Sequence, residues 1–190
     1  MFHDILRLAA RLTVGGYVAA HGAQKLFGAF GGHGLEGTGG FFESVGLRPG
    51  KPMAAAAGTS ELAGGVLTAT GFAHPIGPLA IASTMAVASG TVHRDQGVFA
   101  SDNGPELPLA NLAASVALAS TDPGRVSLDR ALGTSPPAGI ATAIAGAGVV
   151  AAAGLIAYAA SATAEQHEHE QKGDQGASEE EVEYEERQSA

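Results

Sequence analysis

Apolar residues run through this chain in long, nearly unbroken stretches, and polar residues gather between and after them. A helix that crosses a bilayer needs about 20 mainly apolar residues. Five segments approach that requirement: Ile5–Gly28, Met53–Phe72, Pro75–Val92, Leu107–Ser120 and Ala138–Ala160. The fourth is the shortest, and the fifth carries no charge. None alternates with the period of two that marks a strand. The second, third and fifth also lack the polar face that a soluble amphipathic helix presents. Their many Gly, Ala, Ser and Thr residues suit close helix packing in lipid. The pattern predicts an all-α integral membrane helical bundle of up to five transmembrane helices.

The intervening segments differ in character. Residues 29–52 form a long Gly-rich stretch with Phe30, Phe41 and Phe42 interleaved, read as a loop that dips onto the bundle or the membrane interface. The second and third helices are joined so tightly that they form a hairpin. Residues 93–106 are a polar loop with a turn at Asp102-Asn103-Gly104-Pro105, and residues 121–137 are another. Three parts follow: a membrane domain over 1–133, a linker and fifth helix over 134–161, and an acidic tail over 162–190 with the composition of a disordered segment.

Composition changes this picture in two ways. The net charge of −9 belongs mostly to the tail, so it does not describe an acidic globular surface. The chain has no Cys, which excludes thiol nucleophiles, disulfides and thiolate metal sites. Arg7, Arg11 and the apolar run after them could form a cleavable leader. The further apolar segments make a retained span the simpler reading. The Lys/Arg distribution places the amino terminus in the cytoplasm, by a narrow margin.

The charges inside the spans carry the candidate chemistry, since an ionisable group in a membrane costs several kcal/mol unless paired or hydrated. His21 and Lys25 are four apart, hence on one helix face. Arg7 and Arg11 lie on nearly the same face at the other end, where they can snorkel to the interface. Glu61 lies in the second helix, in the same leaflet as Lys25, and the two are expected to pair. His93, Glu106 and Asn111 come from the ends of the third and fourth helices on that side. One reading of the pair is structural, a fixture of helix packing. The other is a polar pocket for a redox-active or proton-exchanging ligand such as a quinone. His21 or His93 would then bond a carbonyl and Glu61 would exchange protons. A metal site from His21, His93 and Glu61 has no local ligand motif behind it, and none is expected. Gly31-Gly32-His33-Gly34 lacks the Lys-Ser/Thr ending and the preceding strand of a phosphate loop.

The segment His21-Gly22-Ala23-Gln24-Lys25-Leu26-Phe27-Gly28 at the end of the first span resembles the signature of DoxX-type membrane proteins. Phe41-Phe42-Glu43-Ser44-Val45-Gly46-Leu47, Glu61-Leu62-Ala63-Gly64-Gly65, Asn103-Gly104-Pro105-Glu106-Leu107 and Gly124–Asp129 fit the same family in order and spacing. The resemblance covers about residues 1–133. It implies a four-helix bundle in a bacterial or archaeal cytoplasmic membrane, with relatives linked to quinone-dependent sulfur oxidation and redox-stress assemblies. It also singles out His21, Gln24, Lys25, Glu61 and Glu106.

Three functions follow as expectations. The first is a redox-associated protein that binds a quinone or supports a quinone-linked partner. With no Cys and no cofactor motif, a soluble redox partner would have to supply the electrons. The second is a scaffold that docks partners through the long loop or the acidic tail. The third is a small proton-coupled transporter with Glu61 titrating. The lipid bilayer is the expected partner, self-association is allowed by the Gly-rich faces, and no nucleic acid is expected.

Overall fold

The computed structural model describes residues 1–94 and 96–189, with side chains to residue 162 and at 164. Among the described residues the chain forms seven α-helices and no strand: α1 (Phe2–Phe27), α2 (Gly34–Ser44), α3 (Gly50–Thr70), α4 (Ile76–Gly90), α5 (Glu106–Ala119), α6 (Leu128–Leu132) and α7 (Ala138–Ser189). The expected acidic, disordered tail falls on residues whose side chains lie outside the described set.

Helices α1, α3, α4 and α5 close into an antiparallel bundle, each packed on the next and α5 returning to α1. The α1–α3 seam is the tightest. Gly15 and Gly22 stand seven residues apart on α1, and Gly58 and Gly65 stand seven apart on α3. A Cβ on Gly15 would lie 2.6 Å from the Gly65 carbonyl oxygen, and one on Gly22 would lie 2.6 Å from that of Gly58. Only hydrogen fits there, so two backbones meet directly, as small residues allow in lipid. A spacing of seven keeps the contact stripe on one side of both helices. Val18, Ile81 and Met85 fill the bundle centre.

The segment 29–52 is not a plain loop. It contains the 11-residue helix α2, whose Phe42 is buried with Leu47, Ala54 and Ala159. Four glycines hid this helix, because Gly costs about 1 kcal/mol against Ala in a helix. Here Gly39 admits the first turn of α3, with Lys51 Cα 3.0 Å from where its Cβ would be. Burial of Phe42 outweighs the poor propensity.

Spanning capacity is narrower than the five-segment reading. Among the described residues one helical stretch, Ala138–Ala162, is long and apolar enough to cross a membrane. At 15 and 14 residues, α4 and α5 are apolar but short. A rise of about 1.5 Å per residue leaves each near 22 Å. Helix α1 is long enough, at 26 residues, but carries Asp4, Arg7, Arg11 and Lys25. The surface is nonetheless apolar where a bundle would meet lipid: Leu12, Val66, Leu109, Val116, Val149 and Val150 all point outward.

The end of the bundle opposite Lys25 also departs from expectation. Arg11 does not snorkel; it is 2% exposed. Its guanidinium donates to the carbonyls of Val126 (2.8 Å), Ala69 (3.3 Å) and Pro123. Asp129, also buried, accepts from the backbone N–H groups of Ala73 and His74, both at 2.9 Å, and from the Thr134 hydroxyl at 3.0 Å. The Arg11 side chain thus ties the end of α3 to the segment after α5, and Asp129 ties that segment to the α3–α4 turn.

Candidate functional site

Lys25 and Glu61 meet beside the Gly22–Gly58 contact, each three residues further along its own helix. The close backbones bring the Lys25 Nζ within 2.5 Å of both Glu61 carboxylate oxygens. Glu61 is 2% exposed and the Lys25 side chain 26% exposed. Each charge offsets the desolvation of the other, since either alone would be a buried, uncompensated ion.

The pair stands between two cavities. One, of about 430 Å³, is lined by Gln24, His33, Thr38, Phe41 and the end of α4 around Val87. The other, of about 300 Å³, is lined by Tyr17, Met85, Asn103, Leu107 and Asn111. His21, Lys25, Glu61, Ala88 and His93 line both. The first cavity lies under α2 and the segment before it. The second opens between α1, α4 and α5.

The histidines are held by different means. The ring of Tyr17 packs edge-on against that of His21, with centroids 4.6 Å apart. Tyr17 is four residues before His21, so helical spacing alone could have placed it beside the site. His93 Nδ1 lies 2.5 Å from the Asn103 carbonyl oxygen. That bond can form only with the proton on Nδ1, which leaves Nε2 as the free ring nitrogen when the ring is neutral. Asn103 anchors His93 across the polar loop, and nothing local in the sequence signals it.

Five of the six residues singled out in the sequence line one cavity or both: His21, Gln24, Lys25, Glu61 and His93. Glu106 does not. It begins α5 and its Oε2 accepts the Ala100 backbone N–H at 2.8 Å, closing the turn before the helix. Among the described residues no group of three or more His, Asp or Glu is placed to hold a metal ion.

Residues 6–94 match the model of the DoxX family. The chain carries a DoxX domain. No curated protein and no solved structure matches the chain. The matched segment takes in α1 to α4 apart from the first few residues, and with them His21, Gln24, Lys25, Glu61 and His93. The motifs at 103–107 and 124–129 lie beyond it. DoxX is a membrane family, and the match over residues 6–94 is consistent with association with the lipid bilayer.

Proposed function

We propose that this protein is a multi-pass, redox-associated protein of the bacterial or archaeal cytoplasmic membrane, and that it binds a quinone between α1, α3 and α4. The observation that carries this reading is the Lys25–Glu61 pair forming the common wall of two cavities, with His21 and His93 beside it. A purely structural ion pair needs no cavity. This one borders space of the size small ligands occupy, about 300–1,000 Å³, lined by apolar groups with a few convergent polar ones. Lys25 can donate to a quinone carbonyl, and the free nitrogen of the neutral His93 ring can accept from a quinol hydroxyl. Reduction of a quinone to a quinol takes up two electrons and two protons. Glu61 and the histidines can relay the protons; with no Cys and no recognisable cofactor motif in the chain, the electrons are assigned to a soluble redox partner. The outward apolar side chains and inward Arg11, Glu61 and Asp129 support a bundle that is embedded rather than dissolved.

The test is quinone binding to the protein in nanodiscs, comparing the native chain with Lys25→Ala and Glu61→Gln. Saturable binding lost in both variants, with the helical fold retained, supports the reading. Absent binding, or binding that ignores both substitutions, reduces the pair to a packing device.

A scaffold role has one observation of its own. Phe30, Val98 and Phe99 are exposed in the segments following α1 and α4, at the end of the bundle that holds Lys25. Exposed apolar side chains there suit contact with a partner protein or with lipid headgroups. Pull-down of a partner that survives Phe30→Ser and Phe99→Ser would remove this surface from consideration.

A further inference from the structure

The first cavity does not end at Glu61. Phe42, Leu47, Ala57, Thr84 and Val87 line it and also line a third cavity, of about 210 Å³, between α3, α4 and α7. The two spaces therefore adjoin through a shared wall. Their chemistry differs. The first holds the ion pair and the histidines. The third is walled by Met53, Ala56, Ala151, Ala152 and Leu155, with no ionisable residue. Two of its three hydroxyls donate to neighbouring groups of the protein: Ser83 to the Leu79 carbonyl, and Thr84 to the Ala80 carbonyl or the Ser60 hydroxyl, each at 3.0 Å.

The outer wall is built by the fifth expected span, outside the matched 6–94 segment. Helix α7 is fastened to α4 at two levels. A Cβ on Gly148 would meet Ser83 Oγ at 2.3 Å, and one on Gly90 would meet Ile156 Cδ1 at 2.7 Å. Ala159 is further locked into the cluster with Phe42, Leu47 and Ala54. Between these fastenings the small side chains of Ala151 and Ala152 leave space against α4. The space is small, at about 210 Å³, and its apolar lining suits a length of flexible hydrocarbon.

We infer that this compartment receives the hydrocarbon chain of the ligand whose head lies at Lys25 and Glu61, so that the ligand is a lipid-soluble, chain-bearing quinone and α7 is the element that selects it. The inference rests on the quinone reading. Adjacency to the head cavity, across the shared Phe42, Ala57, Thr84 and Val87 lining, is what favours the ligand's own chain over an acyl chain of the bilayer. Because a chain leaving lipid for an apolar cavity gains little from the hydrophobic effect, the compartment acts by shape. It aligns the chain so that the head can seat; filling it should therefore exclude chain-bearing ligands alone.

The full chain in nanodiscs is titrated with two probes: a methoxy-substituted benzoquinone bearing a decyl chain, and the same ring without the chain. Both concentrations are expressed as mole fraction in the bilayer. The native protein is expected to bind both. Ala152→Phe is expected to weaken the decyl compound at least tenfold and the bare ring less than twofold, the bare ring also reporting that the head site is intact. Equal weakening of both, or of neither, overturns the inference. A decylquinone with a photoreactive diazirine at the chain end, used on the native protein, gives the second measurement and does not depend on the variant folding. Label within residues 148–155 that unlabelled decylquinone displaces supports the assignment. Label elsewhere, or label that quinone does not displace, overturns it in favour of a bilayer lipid. If neither probe binds the native chain, the head-site reading has failed and this inference falls with it. If both bind and only the chain is misplaced, the head-site reading stands alone.

Discussion

The backbone nitrogen of Leu62 lies 2.4 Å from where a Cβ on Gly22 would be. Neither helix can retreat locally, because Gly15 and Gly65 make the same contact two turns away. Lys25 and Glu61 follow directly from this register.

Gly22→Ala should therefore destabilise the protein by about 1–3 kcal/mol, the usual cost of forcing extra volume into a packed interface. It should also weaken quinone binding by separating Lys25 from Glu61. Gly16, with no atom within 4 Å of its would-be Cβ, is the control. Gly16→Ala should be neutral or stabilising by about 0.5–1 kcal/mol, since Ala is the better helix former. Thermal unfolding in one detergent checks both, and equal losses would dissolve the seam argument.

Removing one member of the ion pair should cost more than removing both. Lys25→Met leaves Glu61 buried without its cation, and Glu61→Gln leaves Lys25 without its anion. Breaking a buried pair in this way costs about 3–5 kcal/mol, and partial exposure of Lys25 puts the expectation near the lower figure. The double variant should recover most of that loss while still failing to bind quinone. A double-mutant cycle by unfolding checks it. Additive losses would mean that the two charges do not depend on each other.

Arg11 should behave as a structural clamp remote from the cavities. Arg11→Lys keeps the charge but loses the planar fork that reaches the Ala69, Pro123 and Val126 carbonyls together. The expected result is faster proteolysis within residues 121–127 and a loss of about 2 kcal/mol, in the range for buried hydrogen bonds to a charged group. Quinone affinity should stay within twofold. Unchanged proteolysis would show that the segment is held by other means.

His74 should make stability depend on pH. Burial holds its pKa below the ordinary value of 6.5, against the opposing pull of the Thr121 carbonyl, Asp129 and Asp122. Its Nε2 donates to the Thr121 carbonyl at 2.6 Å, a bond the neutral ring can make. The folded state thus binds a proton less readily than the unfolded one. The contribution is complete above about pH 6.5 and is lost as pH falls from there to the folded pKa, below which it is flat. The melting temperature of the native chain should drop over that window more than that of His74→Gln. Parallel curves for the two proteins would assign the dependence to other groups.

How far these features were legible depends on the range of the interactions behind them. The extents of α1, α3, α4 and α5 follow from local apolar runs and stop signals, such as Gly28 in the left-handed conformation after α1. The Lys25–Glu61 approach was readable too, because hairpin connectivity puts both residues at one end of adjacent helices. Arg11 was misread because its partners are backbone carbonyls, two of them more than 110 residues away, and carbonyls carry no side-chain signature. Glu106 was misread because an acidic residue opening a helix looks the same whether it caps the preceding turn or faces a cavity. Helix α2 was hidden by its four glycines, of which Gly39 serves contact with α3 rather than local flexibility.

The glycine seam leaves the bundle unevenly stiff. Along α1 and α3 main chain rests on main chain, and sliding or tilting there would drive backbone atoms into one another. The α1–α5 edge has no such interlock, and the cavity bounded by Tyr17 and Asn111 already parts those two helices. Thermal breathing must concentrate on that side. A ligand arriving laterally would find its doorway between α1 and α5, with α1, held by its seam on α3, as the fixed jamb.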